Sequence, residues 1–195
     1  AFFQSLLSPQ YQVELARRIH TDPNWARRRQ RVVMIQCVGS RNDAFKFCSR
    51  VCCSAAVKNS LALKEINPNV QVVVLYRDLR TFGFKELYYL KARQKGVLFF
   101  RYIPEEQPEV IDDDDGKLIV DFTDRSSHRD FRVEADLVVL SAGIRPNSGS
   151  EQIAKLLKLP LTAEGFFMEA HVKLQPMEFA SPGIFLAGLA HSPSF

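Results

Sequence analysis

Two nearly continuous apolar runs, separated by one helix-like stretch, constrain the fold of this chain more than any other feature. The runs extend from Arg31 to Cys37 and from Val70 to Tyr76, and the stretch between them, from Ser54 to Ile66, reads as a helix. Strands that are apolar along their whole length are typical of a parallel sheet that is covered on its faces. The turn residues Asn67-Pro68-Asn69 separate the helix from the second strand. We therefore expect a βαβ unit.

All four cysteines of the chain fall in the turn between the first strand and the helix. They are Cys37, Cys48, Cys52 and Cys53, with the spacing C-x10-C-x3-C-C. This is where α/β folds place cofactors. Four thiolates are the ligand set of a tetrahedral metal ion or of an iron–sulfur cluster. The turn therefore predicts a metal centre.

The spacing of the cysteines favours an iron–sulfur cluster over zinc. Structural zinc sites usually present paired C-x2-C knuckles, and neither half of this pattern is one. The adjacent Cys52 and Cys53 must reach different corners of a site, which the several iron atoms of a cluster allow more easily than one small ion. Zinc, two disulfides and unrelated buried thiols stay open as alternatives, although disulfides are typical of small secreted domains and the sequence shows no signal peptide.

Size and charge exclude several classes of protein. With 195 residues, 46% hydrophobic and 25% charged, the chain can form one good core or two small lobes. No apolar run approaches the roughly 20 residues of a bilayer crossing, so we expect a globular, cytoplasmic protein without a membrane span. The net charge is +4, and the basic cluster Arg27–Arg31 lacks interleaved aromatic residues, so nucleic-acid binding is not expected.

The start Ala1–Gln4 has no initiating methionine, which predicts part of a longer polypeptide or a processed product.

Further helices are expected on both sides of the βαβ unit. Residues 1–30 predict an irregular lead-in with a short helix over 13–19. A helix is expected from Phe84 to Lys95, ending at Gly96, a residue that suits a left-handed cap. Another amphipathic helix is expected from Glu151 to Leu159.

A β-meander laid beside the parallel sheet is predicted from several short segments with strand character. Turn and loop residues separate these segments, and the acidic run Asp112–Asp115 is expected at a solvated hairpin tip. The run lacks the alternating ligand spacing of a calcium loop. The predicted strands are Val97–Tyr102, Lys117–Phe122, His128–Glu134 and Asp136–Ser141.

Two segments resemble the flavoprotein reductases of the thioredoxin reductase and pyridine-nucleotide disulfide oxidoreductase group. Asp136–Asn147 is similar to the strand that returns from their nucleotide domain to their FAD domain, and Gly183–Gly188 is similar to the segment that lies along FAD. The aspartate that follows this last glycine in the common pattern is Leu189 here. The resemblance implies close approach of FAD to small residues and main-chain amides. The expected flavin contacts are Ser141, Ala142, Gly143, Gly188, Leu189, Ala190 and His191.

The first βα turn departs from the nucleotide-binding pattern of that group. A nicotinamide-binding domain carries a glycine fingerprint there, which lets the pyrophosphate approach the backbone. This chain instead has Cys37-Val38-Gly39-Ser40-Arg41-Asn42, followed by the other three cysteines. We therefore expect a thiolate site in place of a phosphate site, and no binding of NAD(P)H at this turn.

Taken together, four segments resemble the A subunit of heterodisulfide reductase and its bacterial relatives. These segments are Gln36–Arg41, Phe47–Cys53, Leu75–Glu86 and Gly188–Pro193, and the resemblance covers nearly all of residues 31–195. It implies that the four cysteines ligate a four-iron four-sulfur (4Fe-4S) cluster beside FAD. It also implies that the flavin exchanges electrons with other redox subunits of a larger complex.

The resemblance also assigns roles to charged residues near the cysteines. Lys58 matches a family lysine placed near the flavin N5, where a cation stabilises reduced flavin, so it is the implied catalytic residue. Arg41, Arg50, Arg77 and Arg80 flank the cysteines and are expected to offset cluster charge or to lie on the surface. The amino-terminal half of the FAD domain, with its G-x-G-x-x-G, is not in this sequence, so FAD is expected to be shared with that half or with a partner chain.

The sequence thus predicts an α/β protein with a three-layer, nucleotide-binding-like domain of parallel sheet, helices and β-meander, followed by a return segment of a flavoprotein FAD domain. The expected divisions are a lead-in over 1–30, a module with the cysteine loop over 31–140, and the carboxyl-terminal part of an FAD domain over 141–195. The expected function is electron relay between FAD and the cluster in an oxidoreductase. The alternative is a zinc-stabilised or metal-free structural module in a degenerate reductase.

Overall fold

The computed structural model describes residues 30–112 and 118–193. The predicted lead-in, with its short helix over 13–19, therefore lies almost wholly outside the described residues. The helices and strands, in chain order, are β1 (Arg31–Val38), α1 (Cys52–Ile66), β2 (Gln71–Tyr76), α2 (Lys85–Gln94), β3 (Leu98–Arg101), β4 (Glu109–Asp112), β5 (Leu118–Asp124), β6 (Arg129–Ala135), β7 (Leu137–Ala142) and α3 (Ser150–Leu157).

A four-stranded parallel sheet forms the centre of the fold, with the strand order β3-β2-β1-β7. Its middle strands are the two apolar runs of the sequence, and Val32–Ile35 and Val72–Leu75 are buried in them. Because side chains alternate between the two faces of a strand, such runs fit only a sheet that is covered on both sides. The predicted βαβ unit is confirmed, with α1 beginning at Cys52 rather than at Ser54.

A three-stranded antiparallel sheet, β4-β5-β6, covers one face of the parallel sheet. The β-meander was predicted from four segments. For two of them the predicted strand is present, but the prediction of the sheet to which it belongs is wrong. The segment Val97–Tyr102 contains β3, and Asp136–Ser141 overlaps β7; both strands are parallel edges of the central sheet. The strand β4 was not predicted. Part of the acidic run Asp112–Asp115 lies outside the described residues, and Asp112 pairs with Leu118 at the end of the β4–β5 ladder.

Two apolar clusters hold these three layers together. Val32, Met34 and Val72 pack against Val57 and Leu61 of α1 on the helical side of the sheet. On the other face, alternate residues of the same strands pack against the antiparallel sheet; this cluster includes Val33, Ile35, Leu75, Tyr102, Val120 and Phe122. The order of helices, parallel sheet and antiparallel sheet confirms the predicted three-layer α/β class.

The described residues after β7 form a smaller, loop-rich unit around α3. Its core consists of Ala154, Leu159, Phe167, Phe179 and Leu186. The helix ends at a left-handed Lys158, which closes its last turn through a bond from its amide to the carbonyl of Ala154. None of the described helices combines the length and the apolar character that a membrane span requires.

Candidate functional site

The four cysteines lie on three successive elements around the amino end of α1. Cys37 is near the end of β1, Cys48 is in the following loop, and Cys52 and Cys53 form the first turn of α1. All four are free thiols; Cys53 is buried and the others are half-buried. The structure therefore shows the cysteines at the predicted junction of β1 and α1, with Cys52 and Cys53 in the helix rather than in the turn before it. The two disulfides considered as an alternative are not formed.

The backbone of the loop between β1 and α1, residues 39–51, is held in unusual conformations near the cysteines. The φ angles of Cys37, Arg41 and Arg50 are +63°, +57° and +60°, in the left-handed region that residues with a side chain rarely adopt. Each costs about 1–3 kcal/mol, and such strain concentrates at functional sites. The β1–β7 register also shifts between Ile35 and Val38, so the ladder is irregular where Cys37 lies.

The thiols influence one another electrostatically. Burial raises the pKa of Cys53 to about 11, and the charges of Cys37, Cys48 and Cys52 add to the rise. Burial also raises the pKa of Cys52, again with contributions from Cys37 and Cys48. For Cys37, burial raises the pKa and the Arg41 guanidinium opposes the rise. A bound metal would displace the protons of these thiols, because it binds the thiolate form.

The described residues do not gather the thiols around a point suited to one ion. Over residues 30–112 and 118–193, no three side chains of His, Cys, Asp or Glu lie close enough together to hold a metal ion. A 4Fe-4S cluster takes one thiolate on each of its four iron atoms, so its ligand sulfurs stand farther apart than those around a single ion. The described residues thus form no site for a single ion such as zinc.

Each of three cysteine sulfurs has a polar neighbour. The main-chain amide of Arg50 donates a hydrogen bond to Cys48 Sγ at 3.3 Å. Cys53 Sγ lies 3.6 Å from the carbonyl oxygen of Asp78, to which its thiol donates. Arg41 Nη1 lies 4.0 Å from Cys37 Sγ. The sulfurs of Cys48 and Cys37 are thus bordered by an amide and a guanidinium donor of the kind that stabilise thiolates.

An ion-pair network joins the cysteine loop to the ends of β2 and β3. The Asp78 carboxylate binds Arg41 Nη2 at 2.6 Å through one oxygen and Arg101 Nη2 at 2.8 Å through the other. Arg77 donates to the carbonyl of Arg41, and Arg101 Nε donates to the carbonyl of Arg77 at 2.8 Å. Because of the hydrogen bond from Arg41, with a further contribution from Arg101, the pKa of the Asp78 carboxyl is below its usual range.

The segment after β7 anchors the loop from the other side. Ser49 is buried, and its hydroxyl accepts a 2.8 Å hydrogen bond from the amide of Ile144. The Arg145 guanidinium lies 3.8 Å from the centre of the Phe45 ring. The rings of Phe47 and Phe166 meet edge to face at 5.4 Å. The loop is therefore held between the parallel sheet and the carboxyl-terminal unit.

Gly143 lies where the end of β7 meets the turn after Cys37. Its amide donates to the carbonyl of Val38 at 2.8 Å. A Cβ at Gly143 would lie 2.8 Å from Ser40 Cβ and 3.2 Å from the carbonyl oxygen of Gly39. Within the described chain, the small residue predicted for flavin contact is therefore explained by contact with the cysteine loop. Ser141, Ala142 and Gly143 thus lie at the end of β7, beside the turn that follows Cys37.

The second predicted flavin segment forms a short 3-10 turn, Gly188–Ala190, followed by His191. Gly188 has φ of +61°, which favours glycine there, and a Cβ would meet no atom within 4 Å. Leu189, at the position of the family's aspartate, is exposed. His191 Nε2 is 2.7 Å from a carboxylate oxygen of Glu169. The flavin contacts of this segment stay a prediction.

Lys58 is exposed on α1, on a side of the helix that faces away from the buried Ala56, Val57 and Ser60. Its predicted place near a flavin also stays a prediction. Asp78, Arg101 and Ser49 were not predicted as site residues, because their partners are distant in sequence. Asp78 follows β2, and Arg101 ends the neighbouring parallel strand β3. Their common position at the carboxyl edge of the sheet could have indicated that they lie together.

Several buried polar atoms without a partner belong to residues that are next in sequence to residues of the cysteine site. Among the described residues, the buried side-chain atoms without a hydrogen-bond partner are Nε2 and Oε1 of Gln36, Oγ of Ser54 and Nε of Arg77. Gln36 precedes Cys37, Ser54 follows Cys53, and Arg77 precedes Asp78, which contacts Cys53. Buried polar atoms are nearly always partnered in folded proteins. Donors left unpaired in this one region fit an anionic group bound among the cysteines.

Comparison with curated proteins gives matches along most of the chain. It is 41% identical over 167 residues to the A subunit of the ferredoxin:CoB-CoM heterodisulfide reductase of Methanosarcina acetivorans, covering 84% of this chain and 20% of that protein. It is 41% identical over 178 residues to the iron-sulfur A subunit of the CoB–CoM heterodisulfide reductase of Methanocaldococcus jannaschii, covering 88% of this chain and 26% of that protein. The chain thus spans about a quarter of the length of these relatives or less. No family model matches it.

Solved structures show the same fold at low sequence identity. Thioredoxin reductase of Lactococcus lactis superposes with a TM-score of 0.53 and 19% identity, over 86% of this chain and 46% of that one. Thioredoxin reductase of T. acidophilum superposes with a TM-score of 0.50 and 20% identity, over 85% of this chain and 46% of that one. The described chain therefore has the fold that is seen in thioredoxin reductases.

Proposed function

Because this chain belongs to the family of heterodisulfide reductase A subunits, we propose that it is an electron-transfer part of such a protein, in which Cys37, Cys48, Cys52 and Cys53 hold a 4Fe-4S cluster beside FAD. The observation that carries this proposal is the meeting of four free thiols at the end of β1 and the first turn of α1. One of the relatives is named as an iron-sulfur component of its reductase. When bound, the cluster accepts and returns single electrons.

The residues around the thiols fit a group with negative charge. Cys52 and Cys53 lie in the first turn of α1, where main-chain amides lack partners within the helix and the helix dipole is positive. Ser54 Oγ and Gln36 Nε2 are buried donors without partners. Arg41 brings a guanidinium to Cys37. These groups stabilise the thiolates that a cluster requires.

The flavin is proposed to lie against the two segments that resemble flavoprotein reductases. Ser141–Gly143 lies beside the cysteine loop, which supports a short path between a flavin and the cluster. Gly188–His191 is the second proposed contact, and Lys58 is the proposed cation near the flavin N5. The rest of the FAD site belongs to polypeptide outside this sequence. In this division, residues 31–140 carry the cluster and 141–195 belong to the FAD domain.

The turn that would bind a nicotinamide cofactor in this fold is occupied by the cysteine loop. Cys37 and Arg41 adopt left-handed conformations there, and Arg41 is paired with Asp78. The proposed electron donors and acceptors are therefore other redox proteins of a multi-component complex, as the names of the relatives suggest. The proposed activity is that of an oxidoreductase component inside a larger complex.

Anaerobic purification followed by iron, sulfide and zinc analysis tests this proposal. We expect four iron and four sulfide per chain, broad visible absorbance, and an EPR signal after reduction with dithionite. Cys48→Ala and Cys52→Ala are each expected to lose this iron, because ligand binding and loop order are coupled. The exposed Ser126→Ala is the matched control and should keep it. One zinc per chain without visible absorbance, or full iron content in both cysteine variants, would refute the assignment.

A further inference from the structure

The Arg41 side chain connects the cysteine site to a fixed carboxylate. Its Nη1 lies 4.0 Å from Cys37 Sγ, and its Nη2 lies 2.6 Å from Asp78 Oδ2. The side chain is only 17% exposed. A charge held this close to a ligand sulfur and away from water is weakly screened, so its effect on the site is larger than that of a surface arginine.

Arg41 is fixed at both its main chain and its side chain. Arg77 donates to the Arg41 carbonyl, and the backbone of Arg41 is in the left-handed region with φ of +57°. On the side-chain end, Asp78 is itself held by Arg101 at 2.8 Å. A long side chain in a loop loses much rotamer freedom when it is fixed in this way. The network therefore keeps the Arg41 guanidinium at one distance from Cys37.

The network carries an excess of positive charge. Arg41 and Arg101 both pair with the single carboxylate of Asp78. Arg77 joins the same network through main-chain carbonyls: its guanidinium donates to the carbonyl of Arg41, and its own carbonyl accepts from Arg101. The carboxylate neutralises the charge of one guanidinium, and the positive charge of the other two can act on an anionic neighbour. Reduction adds an electron to an already anionic cluster and its thiolates, so a nearby cation favours the reduced form.

We propose that Arg41 raises the reduction potential of the metal centre through the Cys37 ligand, and that Asp78 is the positioning residue that holds Arg41 there. This inference rests on the proposed 4Fe-4S cluster. It gives a function to the ion-pair network of Arg41, Asp78 and Arg101, which the four proposed cysteine ligands do not account for. It also predicts that removing Asp78 changes the potential in the same direction as removing Arg41, although the two side chains have opposite charges.

Redox titration of the anaerobically purified full chain, followed by EPR, tests the role of Arg41. Arg41→Gln is expected to shift the one-electron equilibrium at least tenfold toward the oxidised form, about 59 mV lower in midpoint. Arg41→Lys should recover part of the shift, because it keeps the charge without the planar fork. The control is Arg132→Gln, which removes an equally short ion pair, 2.6 Å to Asp121, on the antiparallel sheet. A loaded Arg41→Gln variant with an unchanged midpoint overturns the inference.

Asp78→Asn separates positioning from charge. If Asp78 acted only through its own negative charge, its removal would raise the midpoint. If it holds Arg41 in place, the midpoint falls in the direction of Arg41→Gln; a rise overturns the positioning role. Should Arg41→Gln fail to retain the cluster, Arg41→Lys and Asp78→Asn decide the matter by the same readout. A wild-type chain that binds no iron refutes the proposed function instead, and iron analysis reveals this before any titration.

Discussion

Ile144 donates its main-chain amide to the buried hydroxyl of Ser49, and this 2.8 Å bond ties the cysteine loop to the chain that follows β7. Ser49 is 1% exposed, so water cannot replace the bond. The loop therefore depends for its shape on a residue of the carboxyl-terminal unit. Neither residue was identified from the sequence.

Ser49→Ala is expected to destabilise the chain by about 1–3 kcal/mol, because the partly buried Ile144 amide loses its acceptor. The measurement is the free energy of unfolding in urea for the metal-free chain. Ser126→Ala, in the exposed turn between β5 and β6, serves as the control and should change it by less than about 0.5 kcal/mol. Equal stability of the two variants would contradict the proposed anchoring.

Gly143→Ala is expected to disturb the cysteine loop by steric conflict. The added Cβ lies 2.8 Å from Ser40 Cβ and 3.2 Å from the Gly39 carbonyl, so β7 or the turn must shift. Overpacking of this kind costs about 1–3 kcal/mol. Thermal unfolding compares this variant with Gly149→Ala, whose Cβ meets only a side-chain oxygen of Asn147 at 3.3 Å. A melting temperature for Gly143→Ala as high as that of Gly149→Ala would show that the turn adapts freely.

Gln36→Met is expected to have opposite effects on the metal-free and metal-loaded chain. Both polar atoms of the Gln36 carboxamide are buried without partners, so an apolar side chain of similar size should leave the metal-free chain equally stable or more stable. If the carboxamide donates to the bound group, the same change should speed the loss of iron to a chelator. Gln71→Met is the matched control, since Gln71 Oε1 accepts a 2.9 Å bond from Arg31 and its loss destabilises both forms. If Gln36→Met loses iron no faster than the wild-type chain, the Gln36 carboxamide does not donate to the bound group.

The carboxylate of Asp124 should make the fold sensitive to acid. Burial raises its pKa, but hydrogen bonds from the hydroxyl and amide of Ser127, from the amide of Ser126 and from the amide of Arg101 outweigh burial, and the pKa is below its usual 3.8. A group whose pKa is lower in the folded state stabilises the fold above the unfolded pKa. That stabilisation is lost as the pH falls through the lower, folded value.

We therefore expect the free energy of unfolding to decline as the pH falls from about 5, and Asp124→Asn to flatten this decline. Urea unfolding at a series of pH values measures it. Tyr76 lies nearby, and burial, together with the Asp124 charge, raises its pKa, so it stays neutral over this range. Glu105→Gln, at an exposed position, is the control and should keep the wild-type slope. An Asp124→Asn slope equal to that of wild type would assign the acid sensitivity to other carboxylates.

The sequence predicted the parts of the fold that local patterns determine. The apolar runs indicated β1 and β2, and the turn after Ile66 ended α1 at the residue observed. The βαβ pattern also predicted that the cysteines lie between β1 and α1, although α1 begins two residues earlier than expected and includes Cys52 and Cys53. Pairing between distant strands was not accessible in the same way. Leu98–Arg101 and Leu137–Ala142 were placed in the meander because a short apolar run does not reveal its partner.

The candidate site divides along the same line. The proposed ligand residues were visible as a cluster in sequence, whereas the contacts that support them join residues far apart. Asp78 meets Arg41 and Arg101 only because parallel strands end at one edge of the sheet. Gly143 was recognised as a small residue for flavin contact, and the structure shows its close approach to Ser40. The types of residue in the site could be identified from the sequence, whereas their contacts in space could not.

The pairing of β1 with β7 has a consequence for how the protein is made. On the ribosome the cysteines emerge long before Leu137–Ala142 is synthesised, and until then β1 has a neighbour on one side only. The strand that carries Cys37 gains its second neighbour only when β7 has been synthesised. The hydrogen bond from Ile144 that holds the cysteine loop forms after that. The complete surroundings of Cys37 and its loop therefore exist only once the chain has been synthesised as far as Ile144.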